Sequence, residues 1–430
     1  MKVVDYFSQN MWPDRKTIFS AILIVSLGIR LGFILLLKPN GFYLGDTRHY
    51  DAAARHLLAG EGFGEKYSRS PAYPVFMALI YWSFGRSFLA VRFIESLLGL
   101  VLVVTIYFIA NKAFNETVAV LSAALASLFP HFIILTGLLY STNLFTVLLA
   151  GSIYFMLKSE ENNDLRYLIL SSVCAGLATL TIPSMFFILP LWLFWLVLSR
   201  QHTKQVNLFR TLLFSFIIAA MLTPWTVLNH QKYNRLILVR PLTHTSFPNL
   251  ADLDAQNERI KNGFSETTEY LKTHPNGSEA DKISHILGNY VKHPLQAVKY
   301  MMSEIIHFWA LYPDRLDTPS RALQKKISIE DFRYVSLPNG VWKMVTIISI
   351  IVLLPIFLFA IPGVVLSCPL DRKKGLLLLT IVGMSVGYSL VYAEVRYRIP
   401  IEPYVLMFTA VGLVRCFEFF RFVTKSRELK

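Results

Sequence analysis

Charge is scarce in this sequence. Only 16% of its 430 residues are Asp, Glu, Lys or Arg, against about 25% in ordinary soluble proteins. That excludes a disordered chain and a soluble globular enzyme. Cysteine is nearly missing: Cys174, Cys368 and Cys416 each lie in or beside an apolar run. No disulfide framework or zinc-ligand spacing can be built from them. No internal repeat is visible, which weighs against a transporter made of duplicated halves. What fills the chain is apolar: 54% hydrophobic residues, with 32 Phe, 20 Tyr and 7 Trp, and a mean hydropathy of +0.47. This is the composition of an all-α polytopic membrane protein.

The formal charge is +14. Cytoplasmic loops that collect Lys and Arg account for it, so no nucleic-acid partner is expected. Ten apolar runs are long enough to read as membrane helices. They lie near 17–37, 88–110, 117–137, 140–157, 166–182, 184–200, 208–228, 341–366, 375–393 and 399–419. The first reads as a retained anchor, since no small-residue cleavage site follows it. With the N-terminus in the cytoplasm, basic groups such as Arg200, Lys204 and Arg210, or Arg372, Lys373 and Lys374, fall on one side. That agrees with the positive-inside rule.

Two long segments, 38–87 and 229–340, then lie outside. The stretch 293–312 is partly apolar but carries Lys299, Glu304 and His307. An interfacial or packed amphipathic helix is expected there. The chain thus divides into an N-terminal transmembrane module (1–228) that includes the outer loop 38–87, an extracytoplasmic segment (229–340) and C-terminal transmembrane helices (341–430). Chemistry is expected on the elaborated outer face.

The first outer loop is the most specific stretch. Tyr50, Ala53, Ala54, Leu57 and Leu58 recur at helical spacing, with Asp46 where an N-cap should be and Gly60 as a C-terminal stop. Pro71 and Pro74 suit the first turn of a second helix. Arg69, just before it, either snorkels to the interface or faces a lipid phosphate. Arg92 and Glu95, three apart near the outer end of the second span, read as a surface pair. Arg30 lies within the first span, where an ionisable residue is functional by default. The histidines of the outer segment match no metal-ligand spacing.

Several motifs fall in a recognisable order. Gly45-Asp46 is followed by Tyr50, then by Leu57-Leu58-Ala59-Gly60-Glu61-Gly62-Phe63. Arg69-Ser70-Pro71-Ala72-Tyr73-Pro74 comes next, then Ile80-Tyr81-Trp82-Ser83-Phe84-Gly85. Later come Phe129-Pro130, Thr223-Pro224-Trp225-Thr226, His293-Pro294-Leu295 and Arg396-Tyr397-Arg398-Ile399-Pro400. Together they resemble the GT-C class of membrane glycosyltransferases over nearly the whole chain. The nearest groups are the bacterial protein O-mannosyltransferase-like enzymes and the lipid A aminoarabinose transferases.

The resemblance implies a GT-C-like bundle of about ten transmembrane helices in a bacterial inner membrane, with its active site facing the periplasm. It implies a polyprenyl-phosphate-linked sugar as donor, an acceptor the sequence does not name, and membrane lipid as surroundings. Asp46 matches the first-loop Asp of the class and is the expected general base. Arg69, Tyr73, Arg396, Tyr397, Arg398, Arg30 and Tyr50 are the expected contacts to lipid phosphate or sugar. For Arg396 and Arg398 interfacial anchoring beside Tyr397 is the alternative.

The sequence departs from the class in two places. Asn143 stands near the outer start of the fourth span, where many relatives carry an acid, and Thr181-Ile182-Pro183 lacks an Arg before its proline. Cofactor use is therefore open, a divalent metal included, with no ligand set visible. Two other readings stay open: a transporter or flippase, and a binder of lipid-linked sugar without turnover.

Overall fold

The structure, a computed structural model, describes residues 15–65, 67–241, 269–271, 273–274, 277–312, 333–334 and 339–428. The first outer region holds β1 (Gly41–Phe42), α2 (Thr47–Leu58) and α3 (Ala72–Phe84), after the long helix α1 (Arg15–Leu36). The bundle continues with α4 (Phe88–Ala113), α5 (Glu116–Leu128), α6 (Pro130–Leu138), α7 (Ser141–Asn162), α8 (Leu165–Thr181), α9 (Met185–Val197) and α10 (Lys204–Tyr233). The outer segment contributes α11 (Glu279–Lys292), α12 (Pro294–Phe308) and β2 (Arg333–Tyr334). The chain closes with α13 (Asn339–Leu366), α14 (Arg372–Ser389), the short α15 (Val395–Arg398) and α16 (Glu402–Glu428).

Helical backbone covers most of each predicted span, and the span at 117–137 is broken. Pro130 has no N–H to give and starts α6 at its first turn, so the third span is a pair of helices bent by 48°. Among the described residues four helices are long and apolar enough to cross a membrane by themselves, or five if the bent pair is one span. Helices α8 and α9 are apolar but shorter. The chain is an integral membrane protein. Its outer surface carries large apolar side chains such as Leu36, Phe93, Phe216 and Ile351, which is the surface hydrocarbon solvates.

Side-chain caps set the helix starts: Ser87, Asn115, Asp164, Thr203, Ser278 and Asp371 each accept an amide of their own first turn. Small residues set the closest crossing. At Gly363 of α13 and Gly412 of α16 an added Cβ would collide with the partner helix's carbonyl oxygens, Phe408 O and Phe359 O respectively. Thr409 Oγ1 also donates to Ile356 O across this crossing at 2.9 Å. Such backbone approach is how helices pack where solvent supplies no hydrophobic drive.

One end of the bundle is bolted by charge. Glu160 pairs with Arg372 at 3.1 Å, and Glu161 bridges Lys112 and Lys373. These residues lie at or beside the ends of α4, α7 and α14 that the loop charges assign to the cytoplasm. The opposite end carries the helices of segments 38–87 and 229–340, which the loop charges assign to the outside. The predicted amphipathic helix at 293–312 is α12: Ala297, Tyr300, Glu304 and Phe308 are buried, while Leu295, Val298, Met302 and Ile306 are exposed.

The hairpin of α11 and α12 is tied to the bundle by polar contacts. Tyr290 Oη donates to Leu390 O at 2.5 Å, Tyr300 Oη donates to Val391 O, and Ala393 N donates to Glu304 at 2.8 Å. A second tie is β1 pairing in parallel with β2, Gly41 opposite Arg333 and Phe42 opposite Tyr334.

Candidate active site

The site forms where α2, the turn between α6 and α7, and the loop before α3 meet. Asp46 immediately precedes α2. Its backbone is helical, with φ −67° and ψ −28°, and its side chain makes no capping bond. A side-chain N-cap needs extended backbone to aim its oxygen at the N2 or N3 amide, so the expected cap does not form. The carboxylate is released toward other partners. Arg69 Nη2 lies 2.8 Å from Asp46 Oδ1, and both side chains are partly exposed, at 22% and 25%. On the other side Tyr140 Oη donates to Asp46 Oδ2 at 3.3 Å.

The turn that delivers Tyr140 is strained. Leu139 sits in the left-handed region with φ 51° and ψ 61°, at a cost of roughly 1–2 kcal/mol for a residue bearing a Cβ. It is held there by burial and by Thr47, whose hydroxyl shares its hydrogen between Leu138 O and Leu139 O, each at 3.3 Å. Asp46 and Tyr140 are thus fixed through neighbouring residues. A phenol is protonated at neutral pH, so Tyr140 is the donor in this bond.

Arg396 arrives from the far end of the chain. Its guanidinium lies 5.6 Å from the Tyr140 ring centroid and 5.1 Å from that of Tyr397, within cation–π range. It pairs with Glu394 at 2.5 Å, and the charge of Asp46 is among those acting on it. Tyr397 stacks flat on Tyr388 at 4.7 Å. On the first-loop side, Lys232 Nζ donates to Tyr67 O at 2.7 Å and Tyr67 Oη to Ser70 O at 2.6 Å. These bonds fix the chain on both sides of Arg69. His49 is pushed down to about 4 by burial, then by Arg69 and Arg48, with Asp46 opposing. It is neutral at physiological pH.

The remaining expected contacts lie deeper. Tyr50 meets Ser141 Oγ at 3.3 Å and packs edge-on against Tyr73 at 4.9 Å. Tyr73 is fully buried and donates to Glu95. Glu95 and Arg92 are not the expected surface pair: both are fully buried. Arg92 instead donates to the carbonyls of Gly137, Lys38, Pro39 and Gly41, bracing the start of the outer loop. Asn143 donates to Glu95 O at 3.0 Å.

Arg30 and Arg398 are also fully buried, and the structure brings neither to Asp46. Arg30 is bonded to Ser26 and Ser127 O, and Gly99 makes room for it: an added Cβ there would lie 2.6 Å from Arg30 Nε. Arg398 pairs with Glu402 at 3.0 Å and donates to Phe308 O and Ala310 O. His131 meets the same Glu402 at 2.9 Å. Both arginines join helices.

Sequence reasoning passed over Tyr140, His49 and Arg240. Tyr140 opens a span, and a residue at a span boundary carries no motif of its own. Arg240 follows α10 at an exposed position, and its charge is felt by both Tyr50 and Tyr67. Its position six residues beyond Asn234 carries no motif. Among the described residues no three His, Cys, Asp or Glu side chains gather where a metal could be held. Among the described residues the donor set around Asp46 is one carboxylate matched to a guanidinium, which does not fit a divalent cation wanting several oxygen ligands.

Comparison with known proteins identifies the fold that holds these residues. The family model described as dolichyl-phosphate-mannose-protein mannosyltransferase matches residues 68–227. That range includes Arg69, Tyr73 and Tyr140 and begins after Asp46. Over 97% of this chain the fold follows the archaeal oligosaccharyltransferase AglB from Archaeoglobus fulgidus, solved with an inhibitory peptide and a dolichol-phosphate, with a TM-score of 0.58 and 12% identity. The chain has the GT-C fold. It spans about half the length of that oligosaccharyltransferase, 52% of it.

A second GT-C enzyme, ArnT from Cupriavidus metallidurans bound to undecaprenyl phosphate, matches with a TM-score of 0.53 and 13% identity. That match covers 93% of this chain and 60% of ArnT. No curated protein matches the sequence. The resemblance read from the ordered motifs and the fold thus agree on a GT-C membrane glycosyltransferase architecture.

Proposed function

We propose that this protein transfers a sugar from a polyprenyl-phosphate carrier to a hydroxyl of a lipid, glycan or protein acceptor at the outer face of a bacterial inner membrane. In this reading all ten apolar helical segments cross the bilayer. The observation that carries it is the state of Asp46: a partly exposed carboxylate, free of its helix, held between Arg69 and Tyr140 with Arg396 behind.

The chemistry needs little more. The acceptor oxygen attacks the anomeric carbon and its proton passes to Asp46. The bond from that carbon to the carrier phosphate breaks, and the phosphate leaves with an added negative charge. A phosphate leaving group requires charge stabilisation rather than a proton. Arg69 and Arg396 are the cations for it, since a guanidinium matches phosphate oxygens; Arg240 is a third. When Arg69 turns to the phosphate, Asp46 is left with Tyr140 and is free to act as base. Attack from the face opposite the phosphate inverts the anomeric carbon.

The test uses membranes containing wild type or Asp46→Asn and a panel of polyprenyl-phosphate sugars. Mass spectrometry follows donor consumption and glycosylated products. Consumption of one donor by wild type alone supports the reading and names the sugar. Wild-type rates from Asp46→Asn remove Asp46 as base. Substrate flux in proteoliposomes without covalent product replaces the transferase by a transporter.

A further inference from the structure

Helix α11 and Tyr270 border an open cavity of about 370 Å³, within the range of small-molecule sites. It is built on one face of α11. Asp281, Ser284, His285, Gly288 and Lys292 follow at helical spacing and line it, with Tyr270 opposite. The other flank of the helix is apolar: Ile286 packs with Leu271 beside Val391. The cavity is therefore a polar stripe on a helix whose opposite flank is anchored.

Three observations define what it holds. Gly288 sits inside α11, where glycine is a poor helix former, and an added Cβ there would meet nothing within 4 Å. The missing side chain makes the notch. His285 Nε2 is buried with no hydrogen-bond partner among the described residues, and such an atom is costly unless a ligand or water satisfies it. The Tyr270 ring is covered on both faces, by His285 at 3.9 Å and His274 at 4.3 Å. It offers no open aromatic platform to an apolar guest. The charges of Asp281 and Lys292 oppose each other, so no net ligand charge is required. Ser284, Asn289, His285, Asp281 and Lys292 bring hydroxyl, amide, imidazole, carboxylate and ammonium groups to one open pocket. A neutral polyhydroxylated molecule answers that mixture of donors and acceptors.

Two bonds tie the helix that bears the cavity to the chain that follows α10 and to the chain that follows α14. Arg235, which follows α10, donates to Gly277 O at 2.7 Å just ahead of α11. Tyr290, in the last turn of α11, bonds Leu390 O ahead of Arg396. We infer that this cavity binds a neutral saccharide, the glycan portion of the acceptor. The acceptor role rests on the transferase reading above; the saccharide site does not.

The experiment uses full-length protein in lipid nanodiscs and saturation-transfer NMR. Glucose, galactose, mannose, N-acetylglucosamine, lactose and chitobiose are the probes, with glucuronate and glucosamine as charged controls. Wild type and Asp46→Asn are expected to bind at least one neutral probe in preference to both controls. Gly288→Leu fills the notch and His285→Phe keeps the stack but removes the ring nitrogens. Each is expected to weaken binding about tenfold or more, with an unchanged melting temperature. The inference is overturned if no neutral probe binds wild type, if the charged controls bind better, or if both variants bind like wild type. Donor consumption by the same wild-type preparation separates the two readings. Saccharide binding without donor consumption would retain the cavity and remove the transferase; donor consumption without saccharide binding would do the reverse.

Discussion

Arg69 and Asp46 face each other at 2.8 Å, and neither is buried. Exposed ion pairs contribute little to stability, about 0–1 kcal/mol. Under the proposed reading, the pair is two functional groups resting on one another until a phosphate separates them. Arg69→Ala is expected to weaken donor use strongly while leaving the melting temperature nearly unchanged. Asp46→Asn is expected to lower turnover by about 10²–10⁴-fold, the range for general acid–base catalysis. Donor titrations in steady-state assays separate an effect on KM from one on kcat.

Tyr140→Phe removes one hydroxyl from Asp46 and keeps the aromatic face under Arg396. A hydrogen bond to a charged group is worth about 1.5–3 kcal/mol, and this one is long. A fall in kcat of about tenfold is expected, with donor KM preserved. An unchanged rate would remove Tyr140 from the site.

His49 gives a pH signature. Its pKa, about 4, lies below the ordinary 6.5, so the folded protein resists the proton that the unfolded chain accepts. The stability His49 contributes is full above pH 6.5 and is lost as pH falls from 6.5 toward 4. Melting temperature measured across that window is expected to fall more steeply for wild type than for His49→Gln. Identical slopes would show that His49 does not titrate as described.

Arg398 and Arg396 are two residues apart and have different duties. Arg398 is buried against Glu402, so Arg398→Leu strands a carboxylate that keeps only His131; breaking a buried pair costs about 3–5 kcal/mol. Loss of folded protein in detergent is the expected outcome. Arg396→Ala is expected to fold normally and to raise donor KM. Size-exclusion profiles with thermal melts check the first, kinetics the second.

The crossing of α13 and α16 gives a packing test. Gly363→Ala or Gly412→Ala forces a methyl group against a backbone carbonyl, and overpacking typically costs about 1–3 kcal/mol. A lower melting temperature is expected from either variant.

The helical segments were legible because apolar runs of that length have few other readings, and even the break at Pro130 is written in the residue type. Asp46, Arg69 and Arg396 were legible only through the order of motifs, since the contacts joining residues 46, 69, 140 and 396 are long-range. Arg92 and Glu95 were misread because a polar pair near a helix end looks the same whether it faces lipid headgroups or carbonyls of a distant turn. Arg398 could not be told from Arg396 without Glu402 and His131. The failed cap at Asp46 had no sequence signal: an N-cap position is a matter of residue type, whereas capping depends on backbone angles.

The short parallel pairing of β1 with β2 divides the long excursion between α10 and α13. Gly41, whose carbonyl Arg92 grips, is opposite Arg333, so the returning chain is stitched to the stretch that leads into Asp46. Loop closure grows only logarithmically with length, about 0.6 kcal/mol for each doubling. A change in chain length that leaves α11, α12 and the pairing in place therefore costs little. Under the proposed transferase reading, the acceptor side can then vary while the loop that holds Asp46 stays as it is.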